Sequence, residues 1–304
     1  MEEIYTNNLE IRFFGLRRSG NHAIINWLGA QSPHQIYYLD CCPNDGGDPF
    51  RTGKPTEHRD EPELKNIFCH LAKLKFASSS VIDKERRKQK KILLYSYEDF
   101  DFKKFKKYEL PINREQIVGK SKKQIDILLL RDIYNWLASK LFIKPHRDKQ
   151  DMTYQRFEKN RKYKSPWFKY YSGWEEDAKD IYGLNYVNLD RFMSIYRGYA
   201  REVLNSLLLQ NMVFINFNRW FIDKEYRKEI IESIGFSFTD KGKDIISRKG
   251  GGSSFDGYDY DGCATKMDML ERWKYFKDNN LYWYILEYFK EEVELSNTIF
   301  GNIV

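Results

Sequence analysis

The sequence has few of the residues that hold metal ions or cross-link a chain. Among its 304 residues only four are cysteines and five are histidines. The cysteines are Cys41, Cys42, Cys69 and Cys263, so no two of them form a C-x-x-C pair. Structural zinc sites and disulfide frameworks are built from such pairs or from regular cysteine spacings. We therefore expect reduced thiols and no bound metal ion.

Long apolar runs are also missing from the sequence. None approaches the ~20 residues that a membrane-spanning helix needs. Residues 1–8 are acidic and polar, whereas a secretory signal begins with positive charge and continues with an apolar stretch. We expect a protein of the cytoplasm that has no membrane partner.

Positive charge and aromatic rings, by contrast, are abundant. Lys and Arg number 51 against 44 Asp and Glu, which gives a formal net charge of +7, and aromatic residues make up 16% of the chain. A basic protein attracts anions such as phosphate, sulfate, nucleic acid or acidic glycans. Hydrophobic residues, at 41%, are about as frequent as in ordinary globular proteins. A packed core is therefore expected rather than disorder.

Strand-like and helix-like segments alternate along the chain. Short apolar runs predict strands at 10–14, 92–97, 125–130 and 212–217. Helical patterns predict helices at 22–28, 134–142, 174–182, 190–210, 226–234 and 268–293. This alternation predicts an α/β fold with a central, mostly parallel sheet flanked by helices. The length fits a single domain over 1–304, with irregular insert or cap segments near 40–62 and 144–172.

A glycine-bounded loop separates the first predicted strand from the first predicted helix. Residues 15–22 read GLRRSGNH. In a loop of this kind backbone N–H groups point at an anion, and the helix N-terminus adds partial positive charge. A nucleoside triphosphatase would carry Lys and then Ser or Thr directly after the second glycine, but Asn21 and His22 stand there. Magnesium-dependent kinase or ATPase chemistry is therefore not expected.

Two more motifs with basic residues follow the loop. Arg131 ends a predicted buried strand, and Ser139 comes eight residues later in the helix that follows. Open α/β sheets bind ligands at the carboxyl ends of their strands, so Arg131 is well placed to meet an anion. The third motif opens a glycine-rich loop and consists of Arg248, Lys249 and Gly250.

In this order the three motifs resemble those of the sulfotransferases that use 3′-phosphoadenosine 5′-phosphosulfate (PAPS). The family's first motif is a Lys-Ser-Gly-Thr-Thr loop that binds the 5′-phosphosulfate. The matching residues here are Arg18, Ser19, Gly20, Asn21 and His22. The family's 3′-phosphate motifs are an Arg with a Ser eight residues later, and an Arg-Lys-Gly that continues toward Gly-Asp-Trp. This chain keeps the Arg-Lys-Gly and then departs to Gly-Gly-Ser.

The resemblance covers roughly residues 11–28, 92–142 and 210–252. It implies a P-loop-NTPase-like, three-layer sulfotransferase fold and a metal-free in-line displacement. A sulfuryl group would pass from PAPS to a hydroxyl or amine of a small-molecule or carbohydrate acceptor, and 3′-phosphoadenosine 5′-phosphate would be left.

The resemblance also implies a role for each motif. Arg17 and Arg18 would supply positive charge to the 5′-phosphosulfate, with Arg18 nearest the bond that breaks. The other two motifs would hold the 3′-phosphate. The base that takes the acceptor's proton stays open among three residues, namely Glu98 at the end of a predicted strand, His70 and His22.

Another function also fits parts of the sequence. Basic runs at 84–91, 103–107 and 159–169 lie among aromatic residues, as in proteins that track RNA phosphates and stack on bases. The many carboxylates dilute this positive charge, and the run at 84–91 is typical of a solvated turn or helix end. An RNA- or nucleotide-binding protein without transferase activity is therefore the alternative.

Overall fold

A parallel β-sheet crosses the centre of the structure. This computed structural model describes residues 4–42, 47–52, 68–69, 78–107, 109–142, 189–209, 211–247 and 252–304. Among these residues the strands are β1 (Asn7–Gly15), β2 (Ile36–Cys42), β3 (Phe68–Cys69), β4 (Lys90–Glu98), β5 (Ser121–Leu130) and β6 (Met212–Asn216). Their order across the sheet is β3-β2-β4-β1-β5-β6, and all neighbouring strands run parallel.

Helices connect and cover these strands. Over the same described residues they are α1 (Asn21–Gln31), α2 (Pro49–Thr52), α3 (Ser79–Arg87), α4 (Glu109–Val118), α5 (Ile133–Leu141), α6 (Leu189–Asn205), α7 (Phe217–Ile222), α8 (Lys224–Ile234), α9 (Asn280–Tyr288) and α10 (Lys290–Phe300). Short 3-10 helices lie at Phe102–Lys107, Ala264–Lys266 and Arg272–Phe276.

Alternate residues of the strands enter two separate cores, one on each face of the sheet. On one face Ile11 and Phe13 of β1 belong to a buried cluster with Ile24 and Trp27 of α1 and with apolar side chains of α7 and α8. On the other face Phe14 belongs to a cluster that contains side chains of α5, α6 and α9. Helices thus cover both faces in three layers. The predicted α/β fold with a central parallel sheet flanked by helices is confirmed.

The central strand β1 is buried on both faces and yet contains an acid and a base. Arg12 donates from Nε and Nη2 to the two carboxylate oxygens of Asp126, at 2.9 and 2.7 Å. Glu10 accepts a hydrogen bond from Arg114 Nε at 2.7 Å. Buried charges cost several kcal/mol when they have no partner. These pairs therefore allow a strand with charged residues to lie at the centre of the sheet.

The segment 40–62 was predicted to be irregular, and that prediction is wrong at its start. β2 runs through Asp40 to its end at Cys42, and α2 lies within the segment as well. Asp40 is accommodated in the strand because its Oδ1 accepts hydrogen bonds from Tyr38 OH at 2.7 Å and Ser96 Oγ at 3.2 Å. Residues 43–46 and 53–62, the predicted cap 144–172 and the predicted helix 174–182 lie outside the described residues.

Several predicted elements end elsewhere than expected. The helix predicted at 190–210 ends at Asn205, and in two other cases polar side chains begin new helices. The strand predicted at 212–217 stops at Asn216, whose side chain accepts from Arg219 N at 3.1 Å and begins α7. The helix predicted at 268–293 is divided into a 3-10 helix, α9 and α10. Asn279 begins α9 by accepting from Tyr282 N at 2.9 Å.

Candidate functional site

The carboxyl ends of the strands surround a cavity of about 620 Å³. The loop after β1, Asp40 of β2, Glu98 of β4, Arg131 after β5 and Phe217 after β6 all line it. β1 lies between β4 and β5, so the strand order reverses beside it. Ligands of open α/β sheets bind at this kind of switch point, and the volume is typical of a small-molecule site.

The loop between β1 and α1 contains two residues in left-handed backbone conformations. Arg18 has a φ of 71° and Gly20 a φ of 94°. A Cβ at Gly20 would lie 2.4 Å from a ring carbon of Phe217, so both the backbone and the neighbouring ring require glycine. A positive φ is strained in a residue as bulky as Arg18, and such strain is concentrated at functional sites.

Neighbouring elements hold this loop in place. Asp99 Oδ1, just beyond β4, accepts a hydrogen bond from Arg17 N at 2.9 Å. The Asp99 N–H donates to Gly15 O at 3.1 Å, and Trp136 Nε1 of α5 donates to Arg17 O at 3.0 Å. The loop is therefore fixed from both a strand and a helix before any ligand arrives.

Three polar atoms in the loop and at the start of α1 are buried and have no hydrogen-bond partner among the described residues. They are Ser19 Oγ, Asn21 Oδ1 and His22 Nδ1. Within the described part of the chain no side chain caps this end of α1, where N–H groups lack intrahelical partners. Buried polar atoms are almost always hydrogen-bonded in native proteins. Ser19 Oγ and the N–H groups at the start of α1 can donate to an anion, whereas Asn21 Oδ1 only accepts and faces Gly15. The donors make this end of the cavity suitable for an anionic ligand group.

The two arginines of the loop differ in their surroundings. Arg17 has a side chain that is 60% exposed, and its Nε lies 3.2 Å from Asp99 and 3.5 Å from Glu98. Arg18 extends toward the opposite wall, where its Nη1 donates to Ser254 Oγ at 3.2 Å. Burial lowers the pKa of the Arg18 guanidinium. Of the two arginines, Arg18 is therefore better placed to pair with an anionic group of a ligand in the cavity.

Arg131 and Ser139, the two residues of the second motif, contact each other. Arg131 is fully buried, and its Nη1 donates to Ser139 Oγ at 3.1 Å. Its Nη2 donates to Met269 O, whereas its Nε has no partner among the described residues. Its guanidinium lies 5.0 Å from the centre of the Phe217 ring.

A second buried arginine shares the same hydroxyl. Arg272 Nη1 donates to Ser139 Oγ at 3.2 Å, and its Nη2 donates to Ser253 Oγ at 2.6 Å. Its ion pair is with Asp256 at 3.1 Å. Burial lowers the pKa of Arg272 to about 10, and burial followed by the charge of Arg272 lowers the pKa of Arg131 to about 9. Two guanidinium groups that repel each other in a buried site would be stabilised by an anion.

Carboxylates face the same cavity near the loop. Glu98 accepts a hydrogen bond from Asn21 Nδ2 at 3.0 Å, which connects the end of β4 to the start of α1. Asp40 also lines the cavity, and sequence reasoning did not identify it. His22 lines it too, on the first turn of α1. The third possible base, His70, lies outside the described residues.

An aromatic wall and a buried lysine form another part of the cavity. Phe217, Trp220 and Phe221 of α7 line it together with Lys243. Lys243 is 5% exposed, and its Nζ lies 4.4 Å from the centre of the Phe221 ring. Burial lowers the pKa of Lys243 to about 8. Flat ligand groups stack on walls of this kind.

The structure thus brings most of the predicted site residues to one cavity. Residues 17, 18, 20–22, 98 and 131 line it. Ser19 is buried next to these residues, and Ser139 is buried in contact with Arg131. Arg248, Lys249 and Gly250 lie outside the described residues. The residues that sequence reasoning missed are Asp40, Lys243, Arg272 and the α7 rings, none of which belongs to a local motif.

Several residues of the basic runs that favoured a nucleic-acid-binding function have partners within the protein. Arg86 pairs with Asp83 at 3.0 Å, and Lys88 pairs with Glu85. Lys103 Nζ donates to Ser194 Oγ at 2.7 Å. The runs at 84–91 and 103–107 therefore belong in part to ion pairs and hydrogen bonds of the fold, and the run at 159–169 lies outside the described residues.

Similarity to known proteins does not identify the site. No family model matches the chain, and no curated protein matches it. Over the part of the chain that the structure describes, no group of three His, Cys, Asp or Glu side chains could hold a metal ion. No helix in that part is both long and apolar enough to cross a membrane.

Proposed function

We propose that the protein is a sulfotransferase that uses PAPS as its donor. One observation carries this proposal: two groups of basic and hydroxyl side chains from different parts of the fold meet at one cavity. The first is the β1–α1 loop with Arg18 and with the Ser19 hydroxyl, which has no hydrogen-bond partner among the described residues. The second is Ser139 held between Arg131 and Arg272. PAPS carries anionic groups at two places on one ribose, and so it matches a cavity of this design.

The second group of side chains suits a 3′-phosphate. A phosphate monoester carries close to two negative charges and accepts several hydrogen bonds. Two arginines and a hydroxyl supply charge-assisted donors for it. A nucleotide phosphorylated only on its 5′ side would leave Arg131 without an ion-pair partner among the described residues, since its guanidinium bonds a hydroxyl and a carbonyl, and only Arg272 is paired, with Asp256. The site therefore favours 3′-phosphorylated nucleotides over ATP.

The first group of side chains suits the transfer step. The acceptor's oxygen or nitrogen attacks sulfur in line, the bond from sulfur to the bridging oxygen breaks, and the departing 5′-phosphate keeps the electron pair. Positive charge on the departing oxygen stabilises the transition state, and Arg18 is a half-buried cation of the loop that donates to Ser254 Oγ in the wall of the cavity. The helix N-terminus adds partial positive charge at the same place.

A carboxylate near the loop would take the acceptor's proton. Glu98 lies at the end of β4 and is oriented by Asn21 Nδ2 at 3.0 Å. Its position beside the loop fits a general base that works next to the reacting sulfur. His22 and Asp40 share the cavity and are the alternatives that a kinetic comparison must include.

Donor specificity is tested by measuring equilibrium binding of nucleotides to the intact protein. The ligands are PAPS, 3′-phosphoadenosine 5′-phosphate, adenosine 5′-phosphate and ATP with Mg²⁺. We expect the 3′-phosphate to strengthen binding by roughly 100-fold, since charged hydrogen bonds contribute about 1.5–3 kcal/mol each. Arg131→Met and Arg272→Met should remove most of that gain, and exposed Arg201→Met, which lies away from the cavity, should not.

Catalysis is tested with sulfur-labelled PAPS and a panel of phenols, alcohols, amines and oligosaccharides. Transfer of label to any acceptor, with release of 3′-phosphoadenosine 5′-phosphate, is the expected result. A preference for ATP with Mg²⁺ over the 3′-phosphorylated nucleotides would rule the proposal out. RNA binding with a steep salt dependence that Arg131→Met leaves unchanged would favour the alternative function.

A further inference from the structure

A lone ammonium group lies in the cavity, and the proposed transfer step does not use it. Lys243 is 5% exposed and lines the cavity. Its Nζ is buried and has no hydrogen-bond partner among the described residues. Neither nearby carboxylate is its hydrogen-bond partner: that of Asp240 is held by Arg227 at 2.7 Å, and that of Asp244, whose charge acts on Lys243 more strongly, accepts from Thr265 N at 3.0 Å. Burying an unpaired polar group is costly, so this lysine indicates a ligand atom to which it donates.

Aromatic rings surround this ammonium group. Lys243 Nζ lies 4.9 Å from the ring centre of Trp220 and 4.4 Å from that of Phe221. Phe221 and Phe217 are stacked with their ring centres 6.2 Å apart, and the guanidinium of Arg131 lies 5.0 Å from the Phe217 ring. The wall of α7 therefore leads from the proposed phosphate site to Lys243. A nucleobase attached to the same ribose would stack along such a wall.

We propose that Lys243 donates a hydrogen bond to a ring nitrogen of the donor's nucleobase and so selects the base; this inference rests on the proposed function. A lysine ammonium has three donors and no acceptor, so its partner must be an acceptor atom. Adenine presents unprotonated ring nitrogens at positions 1, 3 and 7, and its 6-amino group is a donor. A base with a C–H in place of the contacted nitrogen would leave Lys243 unpaired and would bind less tightly.

The test measures binding by calorimetry at constant salt. The ligands are 3′-phosphoadenosine 5′-phosphate, its 1-deaza, 3-deaza and 7-deaza analogues, and a ribose 3,5-bisphosphate without a base. Lys243→Met removes the ammonium at nearly constant length, and Lys241→Met is the matched control because Lys241 is exposed on the same turn. We expect Lys243→Met to weaken binding of the adenine nucleotide about tenfold and to leave the base-free ligand unaffected.

One of the three deaza analogues should bind the original protein as weakly as the adenine nucleotide binds Lys243→Met. The same analogue should bind Lys243→Met no more weakly than the adenine nucleotide does. Equal affinity of both proteins for the adenine nucleotide would overturn the role of Lys243 and leave the proposed function standing. Weaker binding of the base-free bisphosphate to Lys243→Met would assign the ammonium to a phosphate, which also overturns the inference. If the original protein bound neither bisphosphate, the proposed function would fail and this inference with it.

Discussion

Ser139 Oγ accepts a hydrogen bond from Arg131 Nη1 at 3.1 Å, across a spacing of eight residues that joins the end of a strand to the last turn of a helix. The same oxygen accepts from Arg272 Nη1 at 3.2 Å, and the Ser139 hydroxyl donates to Asn135 O at 2.9 Å. Ser139 thereby fixes two guanidinium groups that would otherwise repel each other. An anion bound between them would replace this repulsion with attraction, and the proposed 3′-phosphate would be such an anion.

Replacing Ser139 with Ala should weaken binding of 3′-phosphorylated nucleotides specifically. The change removes one hydroxyl and loosens both arginines, so we expect about a tenfold loss of affinity for 3′-phosphoadenosine 5′-phosphate. Affinity for adenosine 5′-phosphate should change less than twofold, as measured by calorimetry. Ser233→Ala is the matched control, because Ser233 also donates to its own helix, at 2.7 Å, and lies away from the cavity. Equal losses for both nucleotides would contradict the assignment.

Gly20 is expected to tolerate no side chain. Its φ of 94° disfavours any Cβ, and the added atom would lie 2.4 Å from the Phe217 ring. We predict that Gly20→Ala lowers the free energy of unfolding by about 2–4 kcal/mol, since backbone strain and overpacking both contribute. Denaturant unfolding measures this difference.

Gly262→Ala separates the two causes of that loss. Gly262 has a φ of 81°, and an added Cβ would meet nothing within 4 Å, so only the backbone strain of about 1–2 kcal/mol should remain. If both variants lost equal stability, the contact between the loop and Phe217 would have no energetic role. Phe217→Leu should restore part of the stability of Gly20→Ala by making room for the new atom.

The sequence was informative where the interactions are local. The strands around Ile11 and Ile127 show as apolar runs, because both faces of a parallel sheet are buried. Arg131 and Ser139 are separated by only one strand end and two helical turns, so both could be identified from their spacing in the sequence. The sequence did not reveal the end of β2, because Asp40 and the polar residues after it are typical of a loop. Only the structure shows that Tyr38 and Ser96 donate hydrogen bonds to the Asp40 carboxylate.

The rest of the site depends on tertiary contacts that leave no local pattern. Arg272 reaches Ser139 from 133 residues further along the chain. Lys243 stands among charged and polar residues, and its burial against Trp220 and Phe221 follows from how α7 packs on the sheet. A lysine or arginine of this kind looks like a surface residue in the sequence. What indicates a function for Lys243 is that its buried Nζ has no hydrogen-bond partner among the described residues.

Lys243 should also make stability depend on pH. Its pKa falls from 10.5 to about 8 on folding because of burial. Below pH 8 Lys243 is charged in both the folded and the unfolded chain, so folding carries the full free-energy cost of burying that charge. Between pH 8 and 10.5 the folded chain loses its proton first, so stability rises with pH. Relative to Lys243→Met, the original protein should gain on the order of 2 kcal/mol over this interval.

Thermal or denaturant unfolding at several pH values measures that difference. Other buried bases, such as Lys140 and Lys90 with pKa values of about 8, are present in both proteins and cancel. Lys241→Met is compared in the same way as the matched control, because Lys241 is an exposed lysine of the same turn. A constant difference between the original protein and Lys243→Met would mean that the ammonium is solvated in the folded chain.

Glu98→Gln provides the sharpest test of the proposed chemistry. Gln keeps an oxygen that can accept the hydrogen bond from Asn21 Nδ2, so the loop and the donor site should keep their geometry. It has no carboxylate to receive the acceptor's proton, and loss of a general base lowers kcat by about 10²–10⁴. We therefore expect kcat to fall in this range at saturating PAPS, with the affinity for PAPS changed less than threefold.

The same assay with His22→Gln, His70→Gln and Asp40→Asn distinguishes the other possible bases. Each of these changes removes a single proton acceptor at nearly constant volume, and we expect each to lower kcat less than Glu98→Gln does. An active Glu98→Gln enzyme beside one inactive variant would assign the base to that other residue. A loss of PAPS affinity that accounts for the whole effect of Glu98→Gln would instead make Glu98 a positioning residue for Asn21 and Arg17, whose Nε lies 3.5 Å away.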